Sequence, residues 1–108
     1  MRLHLAASFA ILACLAAAGA NAAGNPSRGK DIAEKKCALC HAVGPTGESA
    51  APKAPAFRTL SERYPIDSLQ EALAEGITVG HEGVTMPEFR MEPREIDDFL
   101  SYLKSINK

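Results

Sequence analysis

The chain has 108 residues, 46% of them hydrophobic, with twelve basic and thirteen acidic side chains and three cysteines. A balance so close to neutral, with no basic stripe interleaved with aromatics, excludes a nucleic-acid-binding surface. There is no Trp and only six aromatic residues, four Phe and two Tyr, so a single small domain of this composition has a thin core and calls for a staple, metal or cofactor.

Residues 1–22 read as an export signal. Arg2 supplies the positive start, Leu3 to Ala18 is apolar apart from His4 and Ser8, and Ala20-Asn21-Ala22 sets small residues around a cut. Cleavage is expected after Ala22, with Ala23 the neighbouring choice, leaving residues 23–108 as one domain of charge about −2. The apolar run falls short of the roughly 20 residues a spanning helix needs, and no basic cluster follows it, so no stable membrane insertion is expected after cleavage. Cys14 lies within that run, and Leu12 is too large to favour lipid attachment there, so Cys14 reads as one more apolar signal residue.

Asn25-Pro26 has the form of an N-cap followed by proline at the first helical position, opening a helix that runs to about Lys36. Gly29, Ala33 and Cys37 recur at spacing four on one face of it, and two of them are small, which invites another helix to approach closely. Gly44 to Pro55 is rich in Pro, Gly and Ala and reads as loop. Phe57, Leu60 and Tyr64 suggest a short helix ended by Pro65, and Ser68 to Glu75 another, stopped by Gly76. Gly76 to Glu92 is irregular again and holds Gly80, His81, Gly83 and Met86-Pro87. After Pro93 the 3.6 period returns with Ile96, Phe99, Leu100, Leu103 and Ile106, and Tyr102 at the flank. No strand signal or internal repeat appears, and the expected fold is all-α with long loops.

Cys37-Ala38-Leu39-Cys40-His41 specifies a chemistry rather than a shape, for C-x-x-C-H is the haem c attachment signature. Two thiols at this spacing can each add to a vinyl group on one edge of a porphyrin, and the following imidazole can then reach the iron. A thioredoxin-like pair belongs near a βαβ pattern, which is missing here. A zinc site needs two further ligands at matched spacing, and Cys14, His4 and His81 do not supply them. Export supports the haem reading, since outside the cytosol unattached thiols oxidise. For the other face of the iron the candidates are Met86, Met91 and His81. Thioether ligation raises the potential and suits electron transfer. Met86 is favoured because it sits in a loop stiffened by Pro87, whereas Met91 adjoins the last helix and is better placed to pack.

Gly29, Ala33, Cys37, Cys40, His41, then Met86-Pro87, then an aromatic-bearing final helix: over nearly the whole mature chain this series resembles the class I mono-haem cytochromes c of small bacterial type. The resemblance implies an all-α, cytochrome c-like fold. Three to four short helices and long loops would wrap around one covalent haem, with the first and last helices crossing at Gly29/Ala33 against Phe99/Tyr102. It implies Cys37 and Cys40 as the thioether positions, His41 as proximal and Met86 as distal iron ligand. A proline carbonyl, Pro55 with Pro52 the alternate, would accept the proximal imidazole N–H. The chain departs from larger members in having no Trp for a propionate, and from the mitochondrial carrier in lacking a strongly lysine-rich face. Lys35, Lys36 and Lys53 remain candidate docking charges.

The implied function is a soluble one-electron carrier exported to the periplasm, with other redox proteins as donor and acceptor and no residue placed for acid–base catalysis. One alternative is a dedicated haem c subunit of an exported dehydrogenase or oxidase. Another is a haem ligand sensor or small peroxidase with a labile sixth site. A thiol–disulfide oxidoreductase would show a reducible Cys37–Cys40 pair and no pigment.

Overall fold

A computed structural model describes residues 24–76, 80–81, 84–87 and 90–108, with the backbone alone at 80, 81, 84 and 85. The expected export signal, residues 1–22, lies outside the described residues.

The first helix, α1, spans Pro26–Lys36. Its start is built as the sequence implies: Asn25 Oδ1 accepts from the backbone N–H groups of Ser27 (2.9 Å) and Arg28 (3.3 Å), satisfying donors that the first turn leaves open. Lys35 and Lys36 lie in its last turn, where positive charge complements the helix dipole. A 3₁₀ helix follows at Phe57–Glu62, a short one at Ile66–Ser68, and α2 at Leu69–Glu75. Gly76 ends α2 with φ of +108°, a conformation that a side chain would strain.

A minimal antiparallel ladder interrupts the loop beyond α2. β1, Gly80–His81, pairs with β2, Val84–Thr85, in register Gly80↔Thr85 and His81↔Val84. Four residues are too short to show a period-2 pattern in the sequence. The architecture remains helical.

The last helix, α3, spans Pro93–Ile106. Glu95 reaches back to accept from the Glu92 N–H at 3.0 Å, and Pro93 occupies the first position. Its apolar face carries the core: Ile96, Phe99, Leu100 and Leu103 are buried, joined by Ala33 from α1, Leu60 from the 3₁₀ helix and Leu73 from α2. Tyr102, expected at the flank, is buried as well, because its hydroxyl donates to Val43 O at 2.5 Å and so needs no water.

α1 and α3 cross at Gly29. A Cβ added there would lie 2.0 Å from the Asp98 carbonyl oxygen and 2.7 Å from Tyr102 Cβ. The notch is thus filled by the backbone of α3 and the root of Tyr102, rather than by the ring of Phe99. Beside it Asp98, itself buried, accepts from the Asn25 N–H at 2.7 Å, tying the capped start of α1 to the same stretch of α3.

Candidate functional site

α1 leads directly into the cysteine motif. The Cys37 and Ala38 N–H groups both donate to Ala33 O, at 2.9 and 3.1 Å, closing the helix. One more turn then forms on Cys37 O, which accepts from Cys40 N–H at 3.2 Å and His41 N–H at 3.0 Å. Residues three and four apart on such a turn share a side, so Cys37, Cys40 and His41 face together. The residues between them turn out to solvent, Leu39 being 89% exposed. No disulfide joins Cys37 and Cys40.

His41 is oriented by two groups from one short segment. Its Nδ1 lies 2.8 Å from Pro55 O. A carbonyl can only accept, so Nδ1 carries the proton and Nε2 keeps its lone pair for a metal. The Phe57 ring packs on the imidazole with centroids 4.8 Å apart, and meets Phe99 edge-on at 5.8 Å. Pro52, the alternate acceptor, is exposed. The backbone around His41 is tied as well: Ala51 N–H donates to Cys40 O at 3.0 Å, Phe57 N–H to Ala42 O at 2.9 Å, and Ala42 N–H to Ser49 Oγ at 2.9 Å. The sequence pattern places Phe57 in a short helix; that it also faces the imidazole depends on the path of the intervening loop, which carries no periodic signal.

The two methionines are separated by their surroundings. Met91 is buried in the core, and its N–H donates to Leu73 O at 3.0 Å. Met86 is half-buried, immediately after β2 and before Pro87. The side chain of His81 lies outside the described residues. Among the charges considered for docking, Lys36 is engaged within the chain, 3.6 Å from Glu95 of α3.

Burial pushes the Cys37 thiol up to about 11, against the opposing charge of Lys36. A cysteine that exchanges disulfides or holds a zinc ion needs the opposite shift, toward the thiolate. At Cys37 the upward shift disfavours the thiolate such chemistry needs. Among the described residues no cluster of three or more His, Cys, Asp or Glu could hold a bare metal ion. What the site does offer is two same-side thiols beside an imidazole with one nitrogen open, a donor set that fits a covalently attached porphyrin.

The profile of the family described as cytochrome c matches residues 26–107. The chain belongs to the cytochrome c family. It is 29% identical over 106 residues to cytochrome c-552 of Bradyrhizobium diazoefficiens, covering 98% of both chains. It is likewise 29% identical over 83 residues to a cytochrome c-553-like protein of Synechocystis sp., covering 77% of this chain and 70% of the relative. No solved structure matches it. Membership makes the protein a haem c electron carrier, working between redox partners rather than as an enzyme. No helix among the described residues is long and apolar enough to cross a membrane.

Proposed function

We propose that this cytochrome c is an exported, periplasmic one-electron carrier whose haem is held by Cys37 and Cys40 and whose iron is ligated by His41 and Met86. The haem supplies the Fe(III)/Fe(II) couple. The protein supplies two attachment points, a fixed imidazole and a thioether. The observation that carries the assignment is the contact of His41 Nδ1 with Pro55 O, which leaves Nε2 as the nitrogen open to a metal. Such a contact also raises the basicity of the ligand nitrogen.

For the distal position, burial of Met91 in the core fits a packing role for it, and half-buried Met86, in the loop before Pro87, is the thioether this reading takes. Thioether ligation favours the reduced iron, as a carrier that accepts electrons requires. For export, the support is the pattern of residues 1–22 and the redox logic of the motif, since thiols destined for haem must escape disulfide formation.

Met86→Ala tests the ligand set. The oxidised wild-type protein is expected to show the weak red charge-transfer band of thioether-ligated ferric haem. The variant should lose it, fall in reduction potential and take up cyanide at once. An unchanged spectrum and potential would remove Met86 from the iron. The mass of the secreted product tests the rest: it should equal residues 23–108 or 24–108 plus one haem.

A further inference from the structure

Asn107, the residue that ends α3, makes contacts that a helix terminus does not require. Its backbone N–H closes the helix on Leu103 O at 3.0 Å. Its side chain then leaves the helix. Nδ2 donates to Phe57 O at 2.8 Å as well as to Leu103 O at 2.8 Å, and Oδ1 accepts from the Ser61 N–H at 3.0 Å. Phe57 O and Ser61 N–H are the acceptor and donor that an α-helical turn would join directly. The Asn107 amide stands between them, donor to one and acceptor to the other, as a peptide group would. A group inserted into the i→i−4 ladder holds that ladder open, and Phe57–Glu62 is accordingly 3₁₀ rather than α.

That 3₁₀ helix begins with the residue whose ring rests on His41 and whose N–H holds Ala42 O. It starts two residues after Pro55, whose carbonyl faces His41 Nδ1. Fixing the position of Phe57 O therefore fixes the ring beside the imidazole and the strand of chain that bears its acceptor. We infer that Asn107 is a positioning residue for the proximal histidine: its amide clamps the Phe57 turn and thereby keeps Pro55 O on His41 Nδ1. The inference rests on His41 being the iron ligand. Loosening the clamp weakens the Nδ1–H···O contact, lowers the basicity of the imidazole, and destabilises the ferric form. The potential then rises.

The experiment uses holo protein with Asn107→Ala, which removes all three side-chain hydrogen bonds. Asn107→Asp runs in parallel, keeping the acceptor for Ser61 while setting a carboxylate against Phe57 O. Amide exchange at Ser61 should accelerate about fivefold in Asn107→Ala, the factor expected for one lost hydrogen bond. In Asn107→Ala the reduction potential should move positive. In Asn107→Asp the added negative charge pulls against that shift, so its readout is the amide exchange at Ser61, which should stay closer to wild type than in Asn107→Ala. The control is Ile96→Val, a neutral truncation of a buried residue in the first turn of α3, which destabilises the helix away from the Phe57 turn without changing charge. It should leave the potential where it was. If the potential of Asn107→Ala stays at the wild-type value, or moves no further than in the control, Asn107 is only a helix cap. Should Asn107→Asp fail to fold, the Asn107→Ala result decides alone. The ligand assignment is read separately, in wild-type protein: paramagnetically shifted His41 ring protons uphold it, and unshifted ones overturn both readings.

Discussion

Replacing Gly29 with alanine tests the crossing on which the fold is built. The new methyl carbon would stand 2.0 Å from Asp98 O, 2.7 Å from Asp98 C and 2.7 Å from Tyr102 Cβ. Two of these obstacles are backbone atoms of α3, and the third is fixed to it, so no side chain can swing aside. Ordinary van der Waals contact requires α1 and α3 to part by more than 1 Å at this point. Overpacking of this kind costs about 1–3 kcal/mol, and a rigid backbone neighbour places the cost toward the upper end. Alanine returns roughly 1 kcal/mol of helix propensity. The net loss is about 2 kcal/mol, equivalent to a fall in Tm of roughly 8–16 °C for a domain of this size. Thermal and urea unfolding of the holo protein followed by far-ultraviolet circular dichroism reads it directly. Lys30→Ala serves as control, since Lys30 is exposed and pairs at the surface with exposed Glu34 at 3.8 Å; it should stay within about 0.5 kcal/mol of wild type. If Gly29→Ala matches the control or stabilises the protein, the helices do not meet backbone to backbone, and the reasoning fails.

Leu103 is fully buried in α3, and Leu103→Ala should cost about 2–5 kcal/mol, lowering the urea midpoint without changing the absorption spectrum of the bound pigment. The Tyr102 phenol is pushed above its ordinary value of 10.0 by burial first and by the charge of Glu34 second. The folded protein therefore binds the phenolic proton more tightly than the unfolded chain. Its contribution is complete below about pH 10 and is lost as the pH rises through the folded value. Tyr102→Phe should lose the hydrogen bond to Val43 O, about 1 kcal/mol at pH 8, and the gap to wild type should narrow at pH 11; a gap that stays constant would show that the phenol is not the titrating group.

The helices were legible because their signals are local. Asn25-Pro26 and Pro93 mark starts through donors that only the first turn leaves open, and Gly76 marks a stop through its positive φ. The spacing of Gly29, Ala33 and Cys37 gave the face of α1 that packs, because period and residue size together say where another backbone can come close. What was not legible depends on chain paths through loops. The contact of Phe57 with His41 and the clamp of Asn107 on Phe57 O and Ser61 N–H join residues 16 to 50 positions apart, and no periodicity connects them. An asparagine after the last turn of a helix reads as an ordinary cap, and only the structure shows its amide spent elsewhere. The β1–β2 ladder escaped for another reason: two residues per strand carry no pattern.

The segment following the second cysteine is neither helix nor strand, so its polar groups must find partners from elsewhere, and they find them in separate parts of the chain. Cys40 O is held by Ala51, Ala42 N–H by Ser49, Ala42 O by Phe57, and Val43 O by Tyr102 of α3. The imidazole between them is therefore positioned by several independent ties, which suits a redox site that should reorganise little when its charge changes. Redundancy of this kind separates stability from potential. Ser49→Ala removes the acceptor of a half-buried N–H and should cost about 1 kcal/mol, seen as a fall in Tm. The ties to Phe57, Pro55 and Tyr102 survive the change, so the reduction potential should stay at the wild-type value. A shift as large as that in Asn107→Ala would mean that the ties act as one chain rather than in parallel, and that His41 has no redundant support.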